Sequence, residues 1–169
     1  SHYGSAKTAA HYMSKAECGQ LGLEHIWARL ANLYGVGDHS ENFINFAVKR
    51  MLSGQPADFT AGEQLYDFAC VSDAAQGLFR LGDQGRANAS YFIGSGCPQK
   101  LKVFIRMIRD EVDPSIPLHL GAVPYHGVSL PESRFDCGPL IRDTGYCPQV
   151  RFEEGIKPMV QWLREELRK

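Results

Sequence analysis

The sequence predicts an α/β fold, on three observations. Short apolar runs alternate with helical periodicities along the chain, the order expected of strands and helices packed in layers. The runs are continuous rather than alternately polar, which suits parallel strands covered on both faces. The composition, 169 residues with 44% hydrophobic and 22% charged, is that of one globular domain, or one plus part of another.

Element by element, Ala6, Ala9, Ala10, Met13 and Ala16 recur at helical spacing, predicting a helix from Ser5 to Gln20 with left-handed stops at Gly19 and Gly22. His25 to Tyr34, with Ile26, Trp27, Leu30 and Leu33, is too short and unbroken for an amphipathic helix and reads as a doubly buried strand. Asn42 to Leu52 reads as a helix capped by Ser40, with Phe43, Phe46, Ala47, Met51 and Leu52 inward. Gln64 to Val71 is a strand, Ser72 caps a helix ending near Gly82, and Ser90 to Ile93 is another strand. Pro98 sits where first-turn prolines sit before a helix from Leu101 to Glu111. Pro114 to Pro139 has little period beyond a short strand near Leu118. Phe152 to Leu167 closes as an amphipathic helix with Ile156, Met159, Val160, Leu163 and Leu167 on one face.

Composition also excludes functions. Eighteen Lys and Arg against nineteen Asp and Glu, without a basic block, leave no electrostatic footprint for nucleic acid. No apolar run reaches the roughly 20 residues of a membrane-spanning helix, and no signal sequence is evident, so the expectation is a soluble, cytoplasmic chain with no membrane partner. The five cysteines are odd in number and lack Cys-x-x-Cys spacing, so they read as reduced, mostly buried thiols rather than a disulfide framework or metal site. A serine or cysteine hydrolase finds no Gly-x-Ser-x-Gly and no base beside a nucleophile.

Tyr3 and Lys7 stand four apart, one helical turn from each other on one face. A tyrosine near pKa ~10 is a poor base at neutral pH, but a cation a few ångström away favours the phenolate, so the pair suits general acid/base work. A solvated helical pair is the other reading of that spacing.

The run Tyr3-Gly-Ser-Ala-Lys7 resembles the Tyr-x-x-x-Lys of short-chain dehydrogenases/reductases. Arg29-Leu-Ala-Asn32-Leu-Tyr34-Gly35 is similar to the Arg-x-x-Asn-x-Tyr-Gly of their extended, nucleotide-sugar branch, the NAD-dependent epimerases and dehydratases. In order there follow Gly62-Glu-Gln-Leu-Tyr-Asp67-Phe-Ala-Cys-Val71-Ser-Asp73, Phe92-Ile-Gly94-Ser-Gly96, Gly145-Tyr-Cys-Pro148 and Phe152-Glu-Glu-Gly155-Ile, each similar to a motif of that branch. The resemblance implies the C-terminal part of a Rossmann-like parallel sheet with flanking helices and a small α/β substrate-binding lobe. Tyr3 would move a proton at a sugar hydroxyl or keto oxygen, and Lys7 would hold the nicotinamide ribose, so both would also touch the cofactor. Asn32 would contact the substrate's diphosphate or sugar, or simply stop its strand. Asn42 and Phe43 would open the helix under the nucleotide and Phe59 would flank its base, although core packing explains Phe43 equally well. Arg134 resembles a late diphosphate-clamping arginine, with a solvated arginine as its alternative.

Two departures limit these expectations. Tyr66 stands where the branch has an arginine before Asp67-Phe68, removing a diphosphate contact. The phosphate-cradling Gly-x-x-Gly-x-x-Gly turn is not in the sequence, since Gly35-Val-Gly37 and Gly94-Ser-Gly96 lack a third glycine. The chain, which opens without methionine, is therefore expected to be the back part, residues 1–169, of a longer protein that uses NAD or NADP. By itself it is expected to bind no cofactor and turn over no nucleotide sugar. Apolar surface on the strand from Ile26 to Leu33 and small residues on the first helix suggest a homodimer or higher oligomer. The competing reading is a non-catalytic dimerisation or nucleotide-sensing module of the same fold.

Overall fold

The computed structural model describes residues 1–169. Ser1 caps the first helix through its hydroxyl, which accepts the Gly4 N–H at 3.2 Å, and α1 runs His2–Gln20. Its alanine-rich face has little to bury, and none of its residues is buried. The chain leaves through Gly22 at φ 67°, while Gly19 remains helical, so only one of the two expected glycine stops is used.

The expected strand from His25 to Tyr34 is two, β1 (Trp27–Leu30) and β2 (Asn32–Tyr34), because the run changes partner at Ala31. β1 pairs in parallel with β6 (Ser90–Ile93), whereas β2 pairs in parallel with β5 (Phe68–Cys70). Ala31 donates to the Ile93 carbonyl and the next residue, Asn32, to the Asp67 carbonyl. β1 is not doubly buried as expected: Arg29 and Leu30 are exposed.

The helix α2 (Phe43–Leu52) is capped by Asn42 rather than Ser40, since the Asn42 Oδ1 accepts the Asn45 N–H at 2.9 Å. Ile44, Ala47, Val48 and Met51 point inward, while Phe46, expected inside, is 42% exposed. The strand expected from Gln64 to Val71 breaks at Asp67: β4 (Leu65–Tyr66) pairs antiparallel with β7 (Gln99–Lys100) before β5 turns to β2. β3 (Ala57–Phe59) pairs in parallel with β8 (Leu118–Leu120).

Helix α3 (Val71–Gln84) begins before Ser72, whose hydroxyl donates to Cys70 Sγ instead of capping, and continues past Gly82. Pro98 precedes β7 rather than opening α4 (Leu101–Val112). The proline-rich segment holds, besides β8, a 3-10 turn at Glu132–Phe135 and the start of α5 (Gly138–Thr144), a helix too short to show a period and ended by Gly145 at φ 62°. α6 (Phe152–Glu166) closes the chain, with Ile156, Met159, Val160 and Leu163 buried and Leu167 outside the helix and exposed.

The main core lies among α2, α4, α6 and the strands beside them, built on Tyr34, Phe68, Phe104, Ile105 and Phe152, with Phe68 and Phe104 in edge contact at 4.9 Å. A smaller core of Leu81, Tyr91, Ile93, Leu140 and Tyr146 joins α3 and α5 to β6. Of the cysteines only Cys137 is buried, and Cys97 and Cys147 are exposed, so the expectation of mostly buried thiols fails.

Candidate active site

An open cleft of about 790 Å³ runs between α1 and the β1–β2 run. Tyr3, Lys7, Thr8, His11 and Tyr12 line one side, a stripe at helical spacing, and the other side is the extended chain from Trp27 to Leu33. The three residues expected to meet, Tyr3, Lys7 and Asn32, all lie on this one cleft. The volume is within the ordinary range for small-molecule sites, roughly 300–1,000 Å³.

Within it, the Lys7 ammonium lies 5.4 Å from the centroid of the Tyr3 ring, in cation–π geometry. Tyr3 is 73% exposed and meets the cleft from the first turn of α1. Lys7 makes no ion pair. Asn32 opens β2, its amide donating weakly to the Asp67 carbonyl at 3.4 Å. Arg29, not singled out in the sequence, also lines the cleft, and no Asp or Glu does. The walls therefore carry positive charge without a compensating carboxylate, an arrangement suited to anionic ligands. The position of Arg29 on the cleft follows from its place in the same run as Asn32, the signal that was available in advance.

The other expected contacts lie elsewhere. Asn42 and Phe43 line a separate surface hollow at the start of α2, with Phe46, Lys49 and Arg50. The Asn42 side chain is occupied by its cap and by Asp38, to which it donates at 2.6 Å. Phe59 is 4% exposed and packs against Phe43 at 5.9 Å, so its ring serves the core. Arg134 is exposed in the 3-10 turn and lines neither hollow. Tyr66 stacks on Phe68 at 5.6 Å, and burial pushes its phenol upward in pKa.

The remaining motif residues lock the scaffold together, a role sequence spacing did not reveal. Asp67 is fully buried, and its carboxylate accepts the Ser95 N–H at 3.1 Å and the Ser95 hydroxyl at 2.5 Å, tying the start of β5 to the exit of β6. Burial raises its pKa, opposed by those hydrogen bonds. Asp73 accepts the N–H groups of Gln149 and Val150, fixing the chain that enters α6. Tyr146 donates to the Gly94 carbonyl at 3.0 Å, and burial together with Asp73 raises its pKa. Gly94 leaves room for Asp67, since a Cβ there would stand 2.1 Å from its Oδ2.

Comparison with known proteins decides what this set of motifs means. Residues 1–94, more than half of the chain, match the model of the NAD dependent epimerase/dehydratase family. The chain belongs to that family. The dTDP-glucose 4,6-dehydratase of Haemophilus influenzae is 28% identical over 176 residues, covering 96% of this chain and 51% of that protein. The enzyme of the same name from Salmonella typhimurium is 27% identical over 169 residues, covering 96% and 47%. The chain thus spans about half the length of the curated relatives it matches. In fold, it superimposes on dTDP-glucose 4,6-dehydratase from Bacillus anthracis in complex with NAD at a TM-score of 0.86 and 21% identity, over 99% of this chain and 53% of that one. DesIV, a dTDP-glucose 4,6-dehydratase from Streptomyces venezuelae with NAD and TYD bound, gives 0.79 and 27%, over 96% and 51%. For this epimerase/dehydratase chain the parallel strand pairs and flanking helices are those of a Rossmann-like α/β fold.

Proposed function

We propose that this chain is the C-terminal, substrate-binding portion of an NAD(P)-dependent nucleotide-sugar epimerase, dehydratase or reductase, with Tyr3 and Lys7 as its acid/base pair. The observation that carries the reading is the single cleft on which Tyr3, Lys7 and Asn32 meet. The half-length match to dTDP-glucose 4,6-dehydratases supports a longer parent and a nucleotide-diphosphate sugar as substrate.

Chemically, the Tyr3 phenol takes or returns the proton of a sugar hydroxyl as that carbon is oxidised or reduced. Lys7, one turn along α1 with its ammonium 5.4 Å from the Tyr3 ring centroid, would hold the ribose of the cofactor. Asn32 and Arg29 orient the substrate from the strand side of the cleft. The nicotinamide, when bound, supplies the hydride donor or acceptor. Residues of this chain suited to hold it are Tyr3 and Lys7, which face open space and are not tied up in ion pairs. The phosphate-cradling turn belongs to the other half of the parent, so the isolated chain is a binding lobe without turnover. The reading places the protein in the cytoplasm; no helix of the chain is long and apolar enough to cross a membrane.

The test is Tyr3→Phe in the protein carrying its cofactor-binding half. The expected result is a fall in kcat of about 10²-fold or more, the range for losing a positioned acid/base group, and wild-type turnover would remove Tyr3 from the mechanism. A homodimer through α1, whose Tyr12 and Met13 are exposed, fits this function. It fits equally the alternative of a non-catalytic dimerisation or nucleotide-sensing module, so hydride transfer rather than association separates the two.

A further inference from the structure

The geometry points to His25 as a positioning residue for the acid/base pair, holding α1 at the angle that sets Tyr3 and Lys7 opposite Asn32. This rests on the proposed function of the cleft. Within residues 1–169 no residue of α1 is buried, and its tie to β1 runs through a cluster of rings in the seam between the two. The His11 ring of α1 stacks on Trp27 of β1 at 4.5 Å and 16°, and lies 5.7 Å from the His25 ring at 14°. Ser14, one turn further along α1, places its Oγ 3.0 Å from His25 Nε2.

His25 is itself fixed to the body. It is buried, its carbonyl accepts the Asn88 N–H at 2.6 Å, and the nearby Trp27 N–H donates to the Ala89 carbonyl, so its backbone is pinned to the entrance of β6. Neither His25 nor Ser14 lines the cleft. They act on a bound ligand only through α1.

The leverage follows from helix geometry. Tyr3 is eight residues from His11, about 12 Å at 1.5 Å per residue. A tilt of about 10° at the ring cluster would carry Tyr3 roughly 2 Å, and a displacement of about 1 Å between reacting groups can already cost about 10²-fold in rate. The hydrogen bond and stacked rings of this seam set the angle of α1 against β1, and loosening them moves Tyr3 and Lys7 relative to Asn32.

His25→Ala, His25→Gln and Ser14→Ala in the protein carrying its cofactor-binding half test this, with Tyr3→Phe alongside. His25→Ala is expected to lower kcat about tenfold or more while KM stays within about twofold, the split expected when alignment rather than binding is lost. Hydrogen exchange should accelerate in peptides from α1 and stay unchanged in α4 and α6. His25→Gln, whose amide can still meet Ser14, should restore most of kcat. Ser14→Ala keeps the ring stack and should move kcat in the same direction, serving if His25→Ala does not fold. Unchanged kcat in both His25→Ala and Ser14→Ala while Tyr3→Phe abolishes turnover would overturn the positioning role. So would faster exchange spread equally through α4 and α6. If Tyr3→Phe keeps full turnover, the reading of Tyr3 fails instead, and the exchange of α1 alone then decides whether His25 holds the helix.

Discussion

Placing a methyl group at Gly155 tests the packing that joins the two ends of the motif set. Gly155 lies in the first turn of α6, and a Cβ built there stands 2.2 Å from the Tyr34 hydroxyl, 3.0 Å from its Cζ and 2.9 Å from Val150 Cγ1. Tyr34 cannot swing away: it is 1% exposed, packed against Phe152 at 5.2 Å, and its hydroxyl is buried without a hydrogen-bond partner. In an open helix, Gly→Ala would stabilise by about 1 kcal/mol. Here overpacking, about 1–3 kcal/mol and at the upper end for so close an overlap, outweighs that gain. The net expectation for Gly155→Ala is a loss of about 2 kcal/mol, or about 4–8 °C in Tm for a domain of this size. Tyr34→Phe removes the oxygen that is struck and relieves an unsatisfied hydroxyl, whose burial costs about 1–3 kcal/mol. Alone it should be neutral or stabilising, and in its presence Gly155→Ala should lose less than about 1 kcal/mol, a coupling of about 1–2 kcal/mol within the range for touching residues. Urea unfolding of the four proteins measures the cycle. Additive effects, or a neutral Gly155→Ala on its own, would refute the claim that this glycine exists to admit the Tyr34 ring.

Gly94→Ala should be worse tolerated, losing about 3 kcal/mol or more, because the new Cβ meets the buried Asp67 carboxylate at 2.1 Å and Phe92 at 2.5 Å; thermal unfolding checks it. Asp67 should give stability a pH slope: its folded pKa lies above the unfolded value, so the native state binds more protons and stability falls as pH rises through the carboxylate range toward the raised value. Asp67→Asn, which has no proton to lose, should abolish that slope in urea titrations at stepped pH. Glu63 goes the other way, since hydrogen bonds from Lys100 and Lys102 lower its pKa to about 2; carboxyl NMR should find its midpoint there, and replacing both lysines by alanine should return it to the ordinary range. The chain by itself should bind NAD negligibly, and micromolar affinity by calorimetry would contradict the assignment of the phosphate-cradling turn to another part of the parent.

Fold class and the long elements were legible because their periods are strong. Helices α4 and α6 show inward residues at 3.6-residue spacing, and β6 is a bare apolar run, so their bounds emerge within a residue or so. What periodicity does not carry is the choice of partner. The run from His25 to Tyr34 looks like one strand since it is short and almost continuously apolar, and only the switch from β6 to β5 at Ala31 divides it. The same holds for Asp67, which breaks a seemingly continuous strand because its side chain is needed across at Ser95. Capping misled for a related reason: Ser40 and Asn42 both suit an N-cap, and the Asn45 side chain, donating to the Asp38 and Ser40 carbonyls, fixes which one turns into the helix.

The site divides along the same line between local and long-range information. The pairing of Tyr3 with Lys7 is legible as one helical turn, whereas Asn32 enters through the motif it resembles, and the fold brings all three to one cleft. Phe59 and Arg134 depend on distant partners, and the fold gives one to the core and the other to solvent. The motif residues then have two kinds of work. Tyr3, Lys7 and Asn32 line an open cleft, where the proposed function gives them their work on a ligand. Tyr34 packs on Gly155, Asp67 and Tyr146 meet at Gly94, and Asp73 accepts from Gln149 and Val150, contacts that hold β5, β6, α5 and α6 in one arrangement. Substitutions in the second set should therefore shift stability first, with turnover following only as folded protein is lost. Substitutions in the first set should shift turnover with the melting point unchanged.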